Sequence, residues 1–340
     1  SSVSLNWLFK NSEIYEDVYH KLYQLIYGLD KEDLNYRFGV LSENIDKSEI
    51  SRSFILNSAN NNYKPAIKWL EIKSKNDPEL MLELAAIYDK YNNSENIEKS
   101  LKIYEGLAIA KNEKALKRLD VLARMTASLK AMDILAKIYV SENNNSKATN
   151  YNLLIVKHHP KSDVAETSWS WLFNNAENHE KIFIKLKNVV DQNNSIDISY
   201  RMAELLDKMG DINNATDYYL SVISHELDSV NTKYSWDWVL SKAEKNQGVL
   251  IKLECFIDKY NSVENIYKMA EFFEKINCIN IAADYHYRVI SIYPKSDVAK
   301  YSWDWLFYHA NKNKNSFIFL KSIVDKSNSP DTNYRMVNSL

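Results

Sequence analysis

A 67-residue period constrains this chain more than any other feature. The segment "HPKSDVAETSWSWLF" begins at His159 and returns as "YPKSDVAKYSWDWLF" at Tyr293, 134 residues on. A middle version, "YSWDWVL" from Tyr234, lies halfway between. In the same register, "SYRMAELLDKMGDINNATDYYLSVI" from Ser199 aligns without gaps to "IYKMAEFFEKINCINIAADYHYRVI" from Ile266. Chance does not produce gapless registers of this length. The pattern predicts an elongated array in which each repeat stacks on its neighbours. Apolar residues recur within it at helical spacing, so each 67-residue unit reads as two helical hairpins.

Composition agrees with helices. Five Gly and five Pro among 340 residues are too few for the turns of an all-β or α/β protein. The chain is 45% apolar, enough for a sizeable core. A net charge of −2 supplies no strong field to recruit nucleic acid or an anionic membrane. Asparagine runs at Asn60–Asn62 and Asn143–Asn145 fall between periodic segments and read as loops. Cys255 and Cys278 are placed too far apart along neighbouring helices to be bridged, so both are read as free thiols. No apolar run reaches membrane-spanning length. The opening "SSVSLNWLF" has neither Met nor signal peptide and reads as a processed or cut chain, part of a longer array.

The hairpin Glu264–Pro294 resembles a tetratricopeptide repeat. The matching residues are Met269, Ala270, Phe273, Ala282 and Pro294. The hairpin ending at Pro160 matches through Leu135, Ala136, Tyr139 and Ala148, and the next through Met202, Ala203, Leu206 and Ala215. Small residues let paired helices approach, and apolar ones fill the space between. The alternate hairpins depart: Ser302 takes the small site, Trp305 the aromatic one, and Lys314 stands where Ala is expected. "AIKWLEIKSKNDPELMLELAAIYDK" from Ala66 is similar to the Sel-like variety, echoed 35 residues on from Leu101. The resemblance implies an all-α, right-handed solenoid of antiparallel hairpins, a tetratricopeptide/Sel-like superhelix of about 20 helices. Residues 1–126 form looser repeats and residues 127–340 regular ones, within one continuous solenoid.

The tryptophan pairs pose the functional question. On the helix Val164–Ala176, Trp169 shares a stripe with Ala165, Leu172, Phe173 and Ala176, while Trp171, Val164 and Thr167 lie on a second face. A helix apolar on two faces suits a solenoid, where it touches both its own partner and the preceding repeat. The family register assigns Trp171, Trp238 and Trp305 to packing. It turns Trp169, Trp236 and Trp303 into the concave groove, where tetratricopeptide proteins hold extended peptides. Tyr200, Tyr267 and Tyr334 take equivalent inward places. The resemblance thus implies a partner-binding ladder of alternating Trp and Tyr.

No motif for catalysis emerges. His158–His159 is adjacent, so the two rings cannot converge on one metal, and they read as a helix end. There is no Gly-rich phosphate loop and no local Ser–His–Asp pattern. The expectation is a non-catalytic scaffold for a protein or peptide partner, with no cofactor, metal, nucleic acid or membrane span. The alternative is a bacterial periplasmic scaffold for exopolysaccharide assembly or export that contacts polysaccharide.

Overall fold

The computed structural model describes residues 2–29, 31–91, 93–193, 195–225 and 229–327. Among the described residues it is all-helical, with twenty α-helices and one short 3-10 turn. It divides into two compact units, Ser1–Leu172 and Phe173–Leu340.

The first unit contains α1 (Ser2–Ser12), α2 (Glu16–Ile26), α3 (Glu32–Asn44), α4 (Ser48–Asn60), α5 (Lys64–Lys73), the 3-10 turn Ser74–Asn76, α6 (Pro78–Lys90), α7 (Ser94–Ile109), α8 (Glu113–Met125), α9 (Leu129–Ser141) and α10 (Asn145–His158). Helix α11 (Asp163–Ala176) carries the boundary. The second unit continues with α12 (Glu180–Val190), α13 (Ile196–Lys208), α14 (Ile212–His225), α15 (Val230–Ala243), α16 (Gln247–Lys259), α17 (Val263–Lys275), α18 (Ile279–Ile292), α19 (Asp297–Ala310) and α20 (Lys314–Ser327). Consecutive helices pack as sequential hairpins, most extensively α3 with α4, α9 with α10, α13 with α14 and α17 with α18.

The asparagine-rich loops start and stop these helices. Asn93, Asn112, Asn144 and Asn246 are N-caps whose side chains accept from backbone N–H groups of the first turn. Ser128, Ser229, Ser262 and Ser296 do the same. Each satisfies a donor that has no partner inside the helix. At the other end, Asn143, Gly210 and Asn277 stand 67 residues apart, and all take positive φ (54°, 79° and 57°). The N–H after each reaches back to a carbonyl of the last turn: Asn144 to Tyr139 (2.8 Å), Asp211 to Leu206 (2.9 Å), Cys278 to Phe273 (2.8 Å). Asparagine tolerates the left-handed conformation better than most side chains, so it does here what glycine does elsewhere. Gly210→Ala is therefore expected to cost about 1 kcal/mol, read as a lower urea midpoint. Asn277→Gly should be neutral or slightly stabilising.

The core follows the repeat. Apart from the exposed Pro294, the residues matched above are buried: Leu135, Ala136, Tyr139 and Ala148, then Met202, Ala203, Leu206 and Ala215, then Met269, Ala270, Phe273 and Ala282. The tryptophan hairpins bury a second stripe at i, i+4 and i+8. It runs Ile182, Leu186, Val190 in α12, Val249, Leu253, Ile257 in α16, and Ser316, Leu320, Val324 in α20. Lys314, which departs from the expected small residue, is exposed in the first turn of α20, and the small buried site is Ser316.

In the first unit, Gly39 of α3 permits a close approach of α4. A Cβ there would lie 2.5 Å from Ile55 Cγ1 and 3.1 Å from the Ser51 carbonyl oxygen. The Sel-like stretch from Ala66 covers most of α5 and all of α6, which Asp77 and Pro78 start afresh. Cys255 and Cys278 are free, the latter as the N-cap of α18. His158 ends α10 and His159 caps it, its Nε2 2.6 Å from the Ala127 carbonyl oxygen.

Candidate functional site

The two tryptophans of each pair do lie on different faces, but the inner one is not the expected one. Trp169 and Trp236 are each 3% exposed. The ring of Trp236 is met by Phe256 of its own hairpin at 6.4 Å and by Lys268 Nζ from the following hairpin at 5.5 Å. Both tryptophans belong to the stripe that carries Ala165 and Leu172 in α11, or Thr232, Val239 and Ala243 in α15. The expectation that they face a groove is not met: both are buried, and over Trp236 the covering side chains are Phe256 of α16 and Lys268 of α17. Trp303 is half-buried and stacks on Phe307 at 5.7 Å, in a cluster with Leu306, Leu320 and Val324. Arg335, the residue in register with Lys268, lies outside the described residues. Tyr334 also lies outside them.

Trp171, Trp238 and Trp305, assigned to packing from sequence, are half-buried instead. The last two stand in mixed aromatic and carboxylate clusters. Around Trp238, the indole N–H donates to Asp207 Oδ2 (2.9 Å), and Lys242 Nζ donates to Asp207 Oδ1 (3.2 Å). The ammonium also sits 5.2 Å from the Trp238 ring centroid. Tyr219 packs on the indole at 4.4 Å, and Tyr200 meets Tyr219 edge-on at 5.9 Å. One aspartate thus anchors both an indole edge and the cation over its face. The ring is held by one charge-assisted hydrogen bond at its edge and by the cation over its face.

Around Trp305 the same seven positions recur 67 residues on. Tyr267, Glu271, Glu274, His286, Tyr301, Trp305 and His309 replace Tyr200, Glu204, Asp207, Tyr219, Tyr234, Trp238 and Lys242. His286, 1% exposed, stacks on Trp305 at 4.4 Å. Its Nε2 is 2.8 Å from Glu274 Oε1, and its Nδ1 is 3.0 Å from Ser302 Oγ. A carboxylate only accepts, so Nε2 carries a proton. His309 also stacks on the Trp305 indole, at 3.9 Å. Tyr234 and Tyr301 flank the two clusters as exposed rings (59% and 65%).

A third cluster lies in the first unit, where sequence reading had not placed one. Trp69 Nε1 donates to Glu43 Oε2 (2.9 Å), and Lys73 Nζ lies 2.6 Å from Glu43 Oε1. Tyr36 meets Tyr63 at 5.6 Å. The signal was available. Each cluster has a Tyr with a carboxylate seven positions later (Tyr36 and Glu43, Tyr200 and Asp207, Tyr267 and Glu274). Each then has a Trp with Lys or His four positions later (Trp69 and Lys73, Trp238 and Lys242, Trp305 and His309). Trp69 has no second tryptophan two positions away, so the tryptophan-pair motif does not mark this cluster.

The electrostatics keep the phenols neutral. Burial, and then Glu204, push Tyr200 up. Burial, and then Glu271, Glu274 and Tyr301, push Tyr267 up. Burial also raises Glu271, partly offset by Lys268. The arrangement therefore offers half-exposed ring faces edged by carboxylate oxygens and neutral hydroxyls. Within the second cluster, Ser302, His286 and Glu274 form one hydrogen-bonded chain, of which Ser302 and His286 are buried. Among the described residues, no group of three or more His, Cys, Asp or Glu could hold a metal ion. Nor, among them, is any helix long and apolar enough to cross a membrane. No protein-family model matches the chain, and no curated protein matches it.

Proposed function

We propose that this chain is a non-catalytic scaffold of tetratricopeptide/Sel-like kind, a right-handed solenoid that binds a protein or an extended peptide through its aromatic–carboxylate clusters. The observation that carries the reading is the recurrence of one seven-residue constellation around Trp238 and Trp305. Packing alone asks only for apolar bulk. It does not ask for half-buried indoles set beside carboxylates that hydrogen-bond the indole itself (Asp207) or the ring stacked on it (Glu274), with tyrosines at the rim. Such rings contribute much contact area at low entropic cost, which is why Trp and Tyr are enriched at interfaces. Tyr200 and Tyr267 remain candidate contacts, joined by Trp238, Trp305, Tyr234 and Tyr301. Trp169 and Trp236 leave the candidate set because they are buried.

A displayed library of extended peptides, run beside a glycan array, tests this. The expected result is peptide binders whose affinity falls by roughly 2 kcal/mol in Trp238→Ala and less in Trp238→Phe, which keeps the ring and loses the N–H to Asp207. Binding to glycans and to no peptide would favour the polysaccharide scaffold. Binders indifferent to both Trp238 and Trp305 would overturn the site.

A further inference from the structure

The 67-residue register has one more member, and there the stacked-ring and carboxylate positions of the cluster are changed. Counting back from Tyr219 and Trp238 gives Asn152 and Trp171, and from Asp207 gives Val140. The ring that packs on the indole in the later units is replaced by a shorter amide, and the carboxylate by an aliphatic side chain. A cavity of about 250 Å³ opens in that place, wholly within the first unit, bounded by Trp171, Asn152, Val140, Thr167 and Ser168. Drug-sized sites run from about 300 to 1,000 Å³, so this one has room for a single ring.

The chain itself shows what fits. In the later units the space against the indole holds a phenol, Tyr219, and an imidazole, His286, each at 4.4 Å. His286 also reaches Ser302, the counterpart of Ser168 on the cavity wall. At the rim, Lys137 Nζ pairs with Asp133 Oδ2 at 2.6 Å, so the entrance is locally neutral.

We infer that the Trp171 cavity is a binding site for one neutral aromatic ring with a polar edge, presented as a tyrosine side chain by a partner segment. The inference rests on the partner-binding reading and narrows it to a specific pocket. The ring would stack on Trp171 as Tyr219 stacks on Trp238, with its hydroxyl toward Ser168.

The test uses the whole chain, nitrogen-15 labelled, with the Trp171 indole N–H signal assigned through Trp171→Phe. The probes are p-cresol, a short neutral peptide with one central Tyr, and the same peptide with Ala. The Trp171 signal should move with p-cresol and with the Tyr peptide, and not with the Ala peptide. Asn152→Tyr, which supplies the ring from within, should weaken both responses at least tenfold. Asn152→His serves as the second variant should the first fail to fold. A Trp171 signal that ignores p-cresol, or responds equally in the filled variants, overturns the pocket. A response to p-cresol with none to the Tyr peptide overturns the side-chain occupant. These readouts are separate from the library experiment. Loss of peptide binding at Trp238 with an intact p-cresol response at Trp171 would remove the scaffold reading and leave the cavity.

Discussion

Trp236→Ala is expected to destabilise the middle of the array by about 3–5 kcal/mol, while Trp7→Ala should cost less than about 0.5 kcal/mol. The difference is burial. Trp236 is 3% exposed between Phe256 and Lys268, whereas Trp7 is 59% exposed on α1. Removing a buried indole forfeits its transfer free energy and leaves a cavity that three helices cannot collapse around. In an array whose units contact mainly their neighbours, the damage should stay local. Hydrogen exchange should therefore rise in α15, α16 and α17 well before the helices of the first unit respond. Equal losses from the two substitutions would refute the assignment of Trp236 to the core.

The second large effect is expected at His286. Asn at this position should cost about 2–3 kcal/mol, through the lost ring stack on Trp305 and the cavity left behind. It also strips Glu274 and Ser302 of their shared partner, and buried polar groups without partners are costly. The substitution reproduces at the last unit the side chain found naturally at Asn152. Free imidazole should then restore part of the lost thermal stability by refilling the site, with wild type unaffected. A His286→Asn protein as stable as wild type would mean that the stacked ring contributes nothing. Stability lost but insensitive to imidazole would mean that the neighbours collapse into the space.

Much of the fold was legible in the residues. The 67-residue period fixed the hairpin count in the second unit, and the small and apolar positions at Leu135 to Ala148, Met202 to Ala215 and Met269 to Ala282 all proved buried. Helix periodicity also grouped Trp169 with Leu172 and Phe173 on one stripe, and that stripe is core. The family register then assigned this same tryptophan to a groove, and there the expectation failed. The site was legible only as a spacing, Tyr to carboxylate and Trp to Lys or His, that the more conspicuous tryptophan pairs concealed.

By itself the sequence determined helices, their caps, their pairing and the repeat, because these depend on side-chain spacing along one segment and on local backbone preference. Which face of a two-sided helix a neighbour covers depends on contacts between segments tens of residues apart. Tertiary structure alone decided that Trp236 goes inside, that Trp69 is held to Glu43 in the first unit, and that Asn152 leaves an opening beside Trp171. Periodicity fixes the angle between two side chains on a helix. It carries no information about what packs against either one.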